Sequence, residues 1–275
     1  MVGLFRRDVT LAVLASGSAG NSTYVGDGQA GVLIDCGIST RRILARMEGM
    51  GLAGWPIDGV CITHEHSDHV SSARVLGRRL RQLQGKEVPF YMTAGTLDGT
   101  HANSKPEQVE LVRSGEPFRV RHIIVEPFTV PHDVLDPVAY RITLGEVTVA
   151  VVTDLGRPTA LVARKLRDCD ALVLEFNHDV EQLMGGAYPW HLKQRIRSNH
   201  GHLSNAQAAE LLGSSVTPRL KHLTLAHLSE ENNTPERAWQ AARGCLDAAG
   251  MPQVPVVVAG QAGMAEPIRL STNVW

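Results

Sequence analysis

A single six-residue segment carries three histidines and an aspartate. The sequence H-E-H-S-D-H at residues 64–69 follows the apolar run at 59–62. Imidazole and carboxylate groups are ligands that zinc, manganese and iron bind in proteins, and a cation best explains so many of them side by side. Because side chains alternate along an extended chain, His64 and His66 can face one ion while Asp68 and His69, beyond a turn, face a second. The segment therefore predicts a metal site with two ions.

Two ions need more ligands than this segment supplies. Three candidates follow strand-like runs elsewhere in the chain: His132 comes after F-T-V-P, Asp154 after V-A-V-V-T and His227 after L-T-L-A. Proteins of the α/β class carry many of their functional groups in the loops that follow strands. The predicted ligand set therefore contains seven residues: His64, His66, Asp68, His69, His132, Asp154 and His227.

The ligand cluster, the later His132, the segment V-V-T-D-L-G around Asp154 and the segment L-A-H-L-S around His227 together resemble the metallo-β-lactamase superfamily, over nearly the whole chain. The resemblance implies an α/β fold, an αββα sandwich that carries a binuclear site. It also implies that His64, His66 and His132 bind one ion, that Asp68, His69 and His227 bind the other, and that Asp154 bridges them.

Further segments resemble the YycJ/WalJ-type branch of that superfamily, described as a cytoplasmic DNA exonuclease that acts in the 5′ to 3′ direction. They are residues 16–24 (S-G-S-A-G-N-S-T-Y), 175–180 (E-F-N-H-D-V), 188–196 (Y-P-W-H-L-K-Q-R-I), 201–205 (G-H-L-S-N) and 226–235 (A-H-L-S-E-E-N-N-T-P). The resemblance implies a nucleic acid substrate, DNA in particular.

The predicted chemistry is hydrolysis. Two adjacent divalent ions can share a hydroxide and lower its pKa towards neutrality. Lactams, thioesters and phosphodiesters are all open to such a centre, so the ligands alone do not choose the bond. A phosphodiester releases a poor leaving group, an alkoxide, and its hydrolysis therefore gains from a general acid.

His202 in G-H-L-S-N is the predicted general acid, and it precedes a helix that leads towards His227. Its position resembles that of a histidine in the related tRNA 3′-processing enzymes, and Glu175 resembles the acidic residue that orients it. An isolated histidine that only hydrogen-bonds a helix entrance is the alternative interpretation of His202. Asp68 is counted among the catalytic residues as well as among the ligands.

Two segments supply candidates for substrate binding. The Ser/Gly loop at 16–22 offers backbone N–H groups and polar side chains that suit a phosphate, although such a turn is more often only a turn. Residues 188–197 interleave Tyr188 and Trp190 with three cations, which suits base stacking and phosphate contact; a solvated basic helix with the aromatics in the core is the alternative. The predicted substrate-binding residues are Ser18, Asn21, Ser22, His178, Lys193 and Arg195.

Composition agrees with an enzyme of the cytoplasm. The 275 residues, 43% hydrophobic, suffice for one domain that spans residues 1–275. A net charge of −1 excludes a generally basic nucleic-acid binder, so any such binding needs a local patch. Four cysteines without a C-x-x-C pair indicate buried thiols in a reducing compartment. No apolar run approaches the ~20 residues that span a bilayer, so we predict no membrane contact. The sequence does not predict an oligomeric state.

Strand-like and helical patterns alternate along the chain, which predicts the α/β class. The clearest helix follows the metal motif, with apolar residues at helical spacing from Val70 to Leu83. Ser204 and Gln207 predict a capping box, with Gly213 just past the end of that helix, and Thr234 with Pro235 predicts a third helix that ends near Gly250. The predicted strands cover residues 9–15, 31–35, 59–63, 89–93, 121–130, 138–144, 147–154, 171–176, 222–227 and 254–259.

A binuclear phosphodiesterase that uses zinc or manganese best fits these residues. Within that class we predict a DNA exonuclease that acts in the 5′ to 3′ direction in repair. In this enzyme a metal-bridging hydroxide would attack the phosphodiester. An RNA nuclease or a small-molecule (cyclic) phosphodiesterase is the first alternative. A thioester or lactam hydrolase has less need of an acid such as His202. A metal-stabilised binding module without turnover has no chemical need for all seven ligands.

Overall fold

Two seven-stranded mixed sheets frame the protein in the computed structural model, which describes residues 8–271. In spatial order, the first sheet contains β14 (Ile268–Leu270), β1 (Val9–Ala15), β2 (Ser22–Gly26), β3 (Gly31–Ile34), β4 (Gly59–Cys61), β5 (Phe90–Met92) and β6 (Val109–Leu111). The second contains β13 (Val256–Val258), β12 (His222–Ala226), β11 (Ala171–Glu175), β10 (Val147–Val152), β9 (Val138–Leu144), β8 (Ile123–Thr129) and β7 (Phe118–Val120). In these orders, the first sheet has three antiparallel pairings followed by three parallel ones, and the second has three parallel pairings followed by three antiparallel ones.

The strands of the sheet interiors are buried on both faces. Along β11, Ala171 and Val173 belong to the core between the sheets, whereas Leu172 and Leu174 pack with the helices outside the second sheet. This alternation follows from the two-residue period of a strand, and burial on both faces explains why the segment reads as a continuous apolar run.

Helices cover the outer face of each sheet, so the αββα sandwich predicted from the sequence is confirmed. The first sheet is covered by α1 (Thr40–Gly49) and α3 (Ala73–Gln84), and the second by α5 (Ala160–Leu166), α8 (Asn205–Ser215) and α9 (Pro235–Ala248). Four shorter helices lie in the connections: α2 (Ser67–Val70), α4 (Ala94–Gly99), α6 (Val180–Gly185) and α7 (Trp190–Ile196). Within residues 8–271 no helix is both long and apolar enough to cross a membrane.

Among the differences from the sequence-based prediction, two concern the strands and the end of α8. Strands β2, β6, β7 and β14 were not predicted; three of them are only three residues long and lie at or next to sheet edges, where no alternating pattern can develop. Helix α8 begins at the predicted capping box, but it continues through Gly213 to Ser215. A Cβ at Gly213 would lie 3.3 Å from Cys245 Sγ, so this glycine allows α9 to approach α8 and does not end the helix.

Polar residues at the ends of central strands adopt an uncommon backbone conformation. Asp35 after β3, Asp154 after β10 and His227 after β12 have φ values of 60°, 58° and 55°. They are three of the five non-glycine residues with positive φ in the described part of the chain. Such conformations cost of order 1 kcal/mol or more each and persist where packing enforces them. Their concentration at one edge of the sandwich marks that edge as functional.

Gly37 tests how tightly this edge is packed. A Cβ at this residue would lie 1.6 Å from the carbonyl oxygen of Asp68, whereas a Cβ at Gly244 in α9 would meet nothing within 4 Å. We expect Gly37→Ala to lower the free energy of unfolding by about 3 kcal/mol, because backbone must move. Gly244→Ala should raise it by up to about 1 kcal/mol, since alanine is the better helix former. Urea unfolding of both variants without metal checks this, and equal stabilities would contradict the close approach.

Candidate metal centre and substrate cavity

The seven predicted ligands converge in two groups. His64, His66 and His132 offer nitrogen atoms that all lie within 4.8 Å of one another, and Asp68, His69 and His227 form a second such group. In the first group, Nδ1 of His66 lies 3.1 Å from Nε2 of His64 and 3.3 Å from Nε2 of His132. In the second, Oδ2 of Asp68 lies 3.4 Å from Nε2 of His69.

Asp154 lies between the two groups. Its Oδ2 is 3.1 Å from Nε2 of His69, and its Oδ1 is 3.6 Å from Nε2 of His227 and 3.8 Å from Nε2 of His132. Oδ2 of Asp154 and Nε2 of His227 are nevertheless buried without a hydrogen-bond partner. Buried polar atoms are rarely left unpaired in proteins, and converging lone pairs that do not pair with each other are what a cation requires. The donor set therefore fits divalent metal ions.

The electrostatics of the cluster point the same way. Burial by itself lowers the pKa of His227, but Asp154 and its other acidic neighbours raise it to about 10. Burial also opposes protonation of His69, yet Asp154 and Asp35 hold the pKa of this ring well above its usual value. The centre thus requires positive charge. A divalent ion would supply that charge and leave the imidazoles neutral, as ligands must be.

A second layer of polar side chains, which was not predicted from the sequence, orients these rings. Asp35 Oδ2 lies 2.8 Å from Nδ1 of His69, and the same carboxylate accepts hydrogen bonds from the backbone N–H and hydroxyl of Thr63. Asn177 lies 3.3 Å from Nδ1 of His227 through its amide nitrogen and also donates to the carbonyl oxygen of that residue. Such partners fix the ring orientation of a metal-binding histidine. Asp35 directly follows the apolar run G-V-L-I, and this position at the end of a predicted strand could have indicated a functional residue.

Glu175 is a buried carboxylate that connects the cluster to His202. Its Oε1 lies 2.7 Å from Nδ1 of His202 and 3.4 Å from Nδ1 of His227, and its Oε2 accepts from the backbone N–H groups of Leu155 and Leu203. Burial by itself raises the pKa of Glu175, but His202 and His227 lower it to about 2. Since Nδ1 of His202 is held by Glu175, Nε2 is the ring atom left for other contacts. The side chain of His202 is 22% exposed.

A cavity of about 260 Å³ lies in front of the cluster. It is smaller than the ~300–1,000 Å³ of most ligand pockets. Its lining includes the predicted residues His66, Asp68, Asp154, His202 and His227, together with Ser18 and Arg195. Tyr188, Leu192 and Ile196, from α7 and the turn before it, add apolar surface. The structure thus brings seven of the fifteen predicted site residues to one cavity, with an apolar wall beside them.

The Ser/Gly loop contributes less to the cavity than predicted. Ser18 is the member that lines it. The hydroxyl of Ser22 donates to the carbonyl oxygen of Asp35, and the amide nitrogen of Asn21 lies 3.0 Å from Nε2 of His69. Ser22 therefore supports the centre from behind, whereas Asn21 lies at the nitrogen of His69 that faces the other ligands. His178 is buried, and burial lowers its pKa to about 4. It is not among the residues that line the cavity.

The basic residues of α7 divide into two roles. Lys193 is only 8% exposed, and its ammonium group donates to the carbonyl oxygens of Met184 (2.8 Å) and Gly186 (2.6 Å). This placement argues against phosphate contact by Lys193, because its charge is already used inside the protein. Arg195 faces the cavity, where its Nε donates to Asp133 Oδ2 at 2.6 Å. Trp190 is 59% exposed and does not belong to the lining.

Comparisons with known proteins agree with this geometry. Residues 31–224 match the family described as β-lactamase superfamily domain. Exodeoxyribonuclease YycJ of Bacillus anthracis is 34% identical over 242 residues, which cover 87% of this chain and 89% of that protein. Exodeoxyribonuclease WalJ of Streptococcus pneumoniae serotype 2 is 34% identical over 235 residues, or 82% and 84% of the two chains. The solved structure of YhfI from Bacillus subtilis, a metallo-β-lactamase fold protein, has a TM-score of 0.70 at 18% identity and covers 95% of this chain and 99% of that chain.

Asp35 provides a test of the metal centre. We expect Asp35→Ala to weaken binding of divalent metal by roughly 10- to 100-fold, because His69 loses the partner that orients it. Asp58→Ala is the matched control: Asp58 is buried in the same sheet, but it accepts from Gly31 N–H at the start of β3 and pairs with Lys86. Its loss should lower stability and leave metal affinity unchanged. Titration against a competing chelator measures both, and equal losses of affinity would contradict the orienting role of Asp35.

Proposed function

The chain belongs to the β-lactamase superfamily and to its YycJ/WalJ branch, it is a metal-dependent hydrolase, and we propose that it is a binuclear phosphodiesterase that degrades DNA from the 5′ end. The observation that carries the proposal is the position of Asp154 between two groups of ligands, with His202 beside it in the same cavity, where Nδ1 of His202 lies 3.7 Å from Oδ1 of Asp154. The two relatives are named exodeoxyribonucleases, and each aligns over more than four fifths of this chain. Action in DNA repair in the cytoplasm is part of the same proposal.

We assign His64, His66 and His132 to one ion, Asp68, His69 and His227 to the other, and Asp154 to both. The two groups that lie within 4.8 Å correspond to the first two sets, and the two oxygens of Asp154 approach histidines of both. Imidazole and carboxylate ligands suit zinc and manganese alike. When bound, the two ions would lower the pKa of water and offset negative charge on the phosphoryl oxygens.

The remaining roles belong to side chains of the chain itself. His202 donates a proton from Nε2 to the departing oxygen, and Glu175 holds the ring through Nδ1 and raises the pKa of His202 against the effect of burial. A raised pKa favours the protonated ring, which is the form that a proton donor needs. We assign contact with phosphoryl oxygens to Ser18 and Arg195, since both line the cavity. Asp68 acts as a ligand whose second oxygen stays within reach of the cavity.

Digestion of nucleic acids tests this proposal. We expect the manganese- or zinc-loaded protein to shorten linear DNA labelled at one end, to leave a circular single strand intact, and to release label from the 5′ end first. Elemental analysis should find two ions per chain, and Asp154→Ala should lose at least one of them and the activity. Cleavage of RNA and of cyclic dinucleotides is measured under the same conditions.

Three results would contradict different parts of the proposal. Cleavage of the circular strand would replace the exonuclease by an endonuclease. Preference for RNA or a cyclic dinucleotide would retain the phosphodiesterase and change its substrate. One tightly held ion, unaffected by Asp154→Ala, would refute the binuclear centre.

The role of His202 is tested by the basicity of the leaving group. We expect His202→Ala to slow DNA cleavage by roughly 10²- to 10⁴-fold, because the alkoxide then leaves without a proton. A nitrophenyl diester releases a phenolate that is stable without protonation, so its hydrolysis should change little. Both rates are measured at unchanged metal content.

His200→Ala is the matched control for this experiment, since His200 is an exposed histidine on the same segment. Its rates should equal those of the unmodified protein. If His202→Ala slows both substrates by the same factor, the residue positions phosphate or supports the centre, and its assignment as general acid is wrong.

A further inference from the structure

One wall of the cavity is apolar, and phosphate hydrolysis by itself does not require an apolar wall. Tyr188, Leu192 and Ile196 present an aromatic ring and two aliphatic side chains to the same space as the metal ligands and His202. All three are partly buried. Apolar surface kept beside charged groups favours a substrate that has an apolar face next to its phosphate.

Helical geometry explains why these side chains share the wall. Leu192, Arg195 and Ile196 have the i, i+3, i+4 spacing of one helix face, while Trp190, Lys193 and Arg197 occupy another. Tyr188 lies in the turn before α7 and faces the same cavity. The wall therefore has one aromatic ring inside the cavity, with the second aromatic residue of the segment outside it.

The wall is held firmly in place. The buried ammonium group of Lys193 joins α7 to the end of α6 through two carbonyl oxygens, and Arg197 Nη1 lies 3.3 Å from Met184 Sδ on the same side. At the other end, the N–H of His202 donates to the carbonyl oxygen of Ile196, and Nδ1 of His132 lies 3.1 Å from the carbonyl oxygen of Gly201. A wall tied to both the predicted acid and a predicted ligand has a fixed distance from the reacting centre.

Arg195 adds positive charge at the edge of this wall. Its Nε donates to Asp133, next to His132, so the guanidinium is held at the cavity mouth. A guanidinium has five donors, and Asp133 engages one of them. The others suit an oxygen of a phosphate that lies beside an apolar group.

We propose that Tyr188, Leu192 and Ile196 form a recess for one nucleoside, the one that carries the attacked phosphate on its 5′-oxygen, with its base against the ring of Tyr188 and that phosphate between Arg195 and the metal centre. The cavity of about 260 Å³ is small, which favours one nucleoside over a longer stretch of strand. Stacking on an aromatic ring tolerates every base, so the recess holds a nucleoside without selecting the sequence. Lys193 is a positioning residue for the wall. The inference rests on the proposed phosphodiesterase function.

A pair of substrates with the same leaving group tests the recess. Thymidine 5′-(4-nitrophenyl) phosphate and methyl 4-nitrophenyl phosphate both release nitrophenolate, and they differ in the group that stays on phosphorus. We expect the loaded enzyme to have a much lower KM for the thymidine diester. Tyr188→Ala should raise that KM by roughly 5- to 150-fold with kcat little changed, since stacking is present before and during reaction. Its hydrolysis of the methyl diester should be unaffected, and Tyr188→Phe should restore the low KM.

Direct binding supplies a second measurement that needs no turnover. Calorimetry should show that thymidine 5′-monophosphate binds the loaded enzyme more tightly than methyl phosphate, and that Tyr188→Ala removes most of the difference. The four common deoxynucleoside 5′-monophosphates should bind within a few-fold of one another. Trp239→Ala is the matched control, because Trp239 is a partly exposed aromatic residue of α9. Lys193→Met should weaken nucleotide binding and Lys193→Arg should weaken it less.

The outcomes separate this inference from the function on which it rests. Hydrolysis of neither diester would refute the phosphodiesterase, while nucleotide binding would still decide the recess. Hydrolysis of both diesters with equal KM, and equal binding of the two monophosphates, would refute the recess alone. Loss of binding in Trp190→Ala with none in Tyr188→Ala would place the base outside the cavity and overturn the proposal.

Discussion

The carboxylate of Asp154 lies buried between two groups of imidazoles, and its Oδ2 has no hydrogen-bond partner. Transfer of one carboxylate from water to such a site costs several kcal/mol unless positive charge compensates it. Asp35 and Glu175 add two more buried carboxylates within the same cluster of contacts. The positive charge can come from protonated histidines or from cations, and only cations leave the imidazole nitrogens free to act as ligands. The strands that end at or just before Asp35, Asp154 and Glu175 must therefore hold these carboxylates close to a source of positive charge.

The sandwich provides the rigidity that such a centre needs. Asp35, Asp154 and His227 each adopt a left-handed conformation directly after a buried strand, and Gly37 leaves no space between its Cα and the backbone of Asp68. A flexible edge would relax these conformations, because each costs free energy and a looser packing would satisfy the polar atoms in water. Strands packed on both faces hold the edge still. The close packing below the predicted ligands therefore maintains their strained backbone conformations.

Local sequence signals predicted the ligands and the strands that carry them, because both depend on short-range patterns. The H-x-H-x-D-H cluster, the residues after apolar runs, and the capping box of Ser204 are all visible within a few residues. The orienting partners were not visible in this way. Asp35 reaches His69 across 34 positions of the chain, and Asn177 reaches His227 across 50. Such pairs follow from the pairing of strands, which a single sequence does not specify.

Lys193 and Arg195 show the same limit within one helix. Both are cations in one basic and aromatic segment, and the sequence predicted the same phosphate contact for both. Two positions along a helix turn a side chain by about 200°. That rotation directs Lys193 to the carbonyl oxygens at the end of α6 and Arg195 to the cavity. Composition therefore indicated the kind of surface, and helical phase together with the neighbouring backbone decided which residue forms it.

The metal centre and the apolar wall are attached to different parts of the fold. The ligands follow strands of both sheets, so their spacing is fixed by the core between the sheets. The wall belongs to the connection between β11 and α8, and it meets the centre through His132 with Gly201, Asp133 with Arg195, and the peptide that joins it to His202. A change in this connection can alter the group that fits beside the phosphate while the core, and with it the ligand geometry, stays intact. A hydrolytic centre that by its ligands alone accepts several kinds of bond can thus acquire a preference through one short helix whose polar links to the centre hold it at a fixed distance.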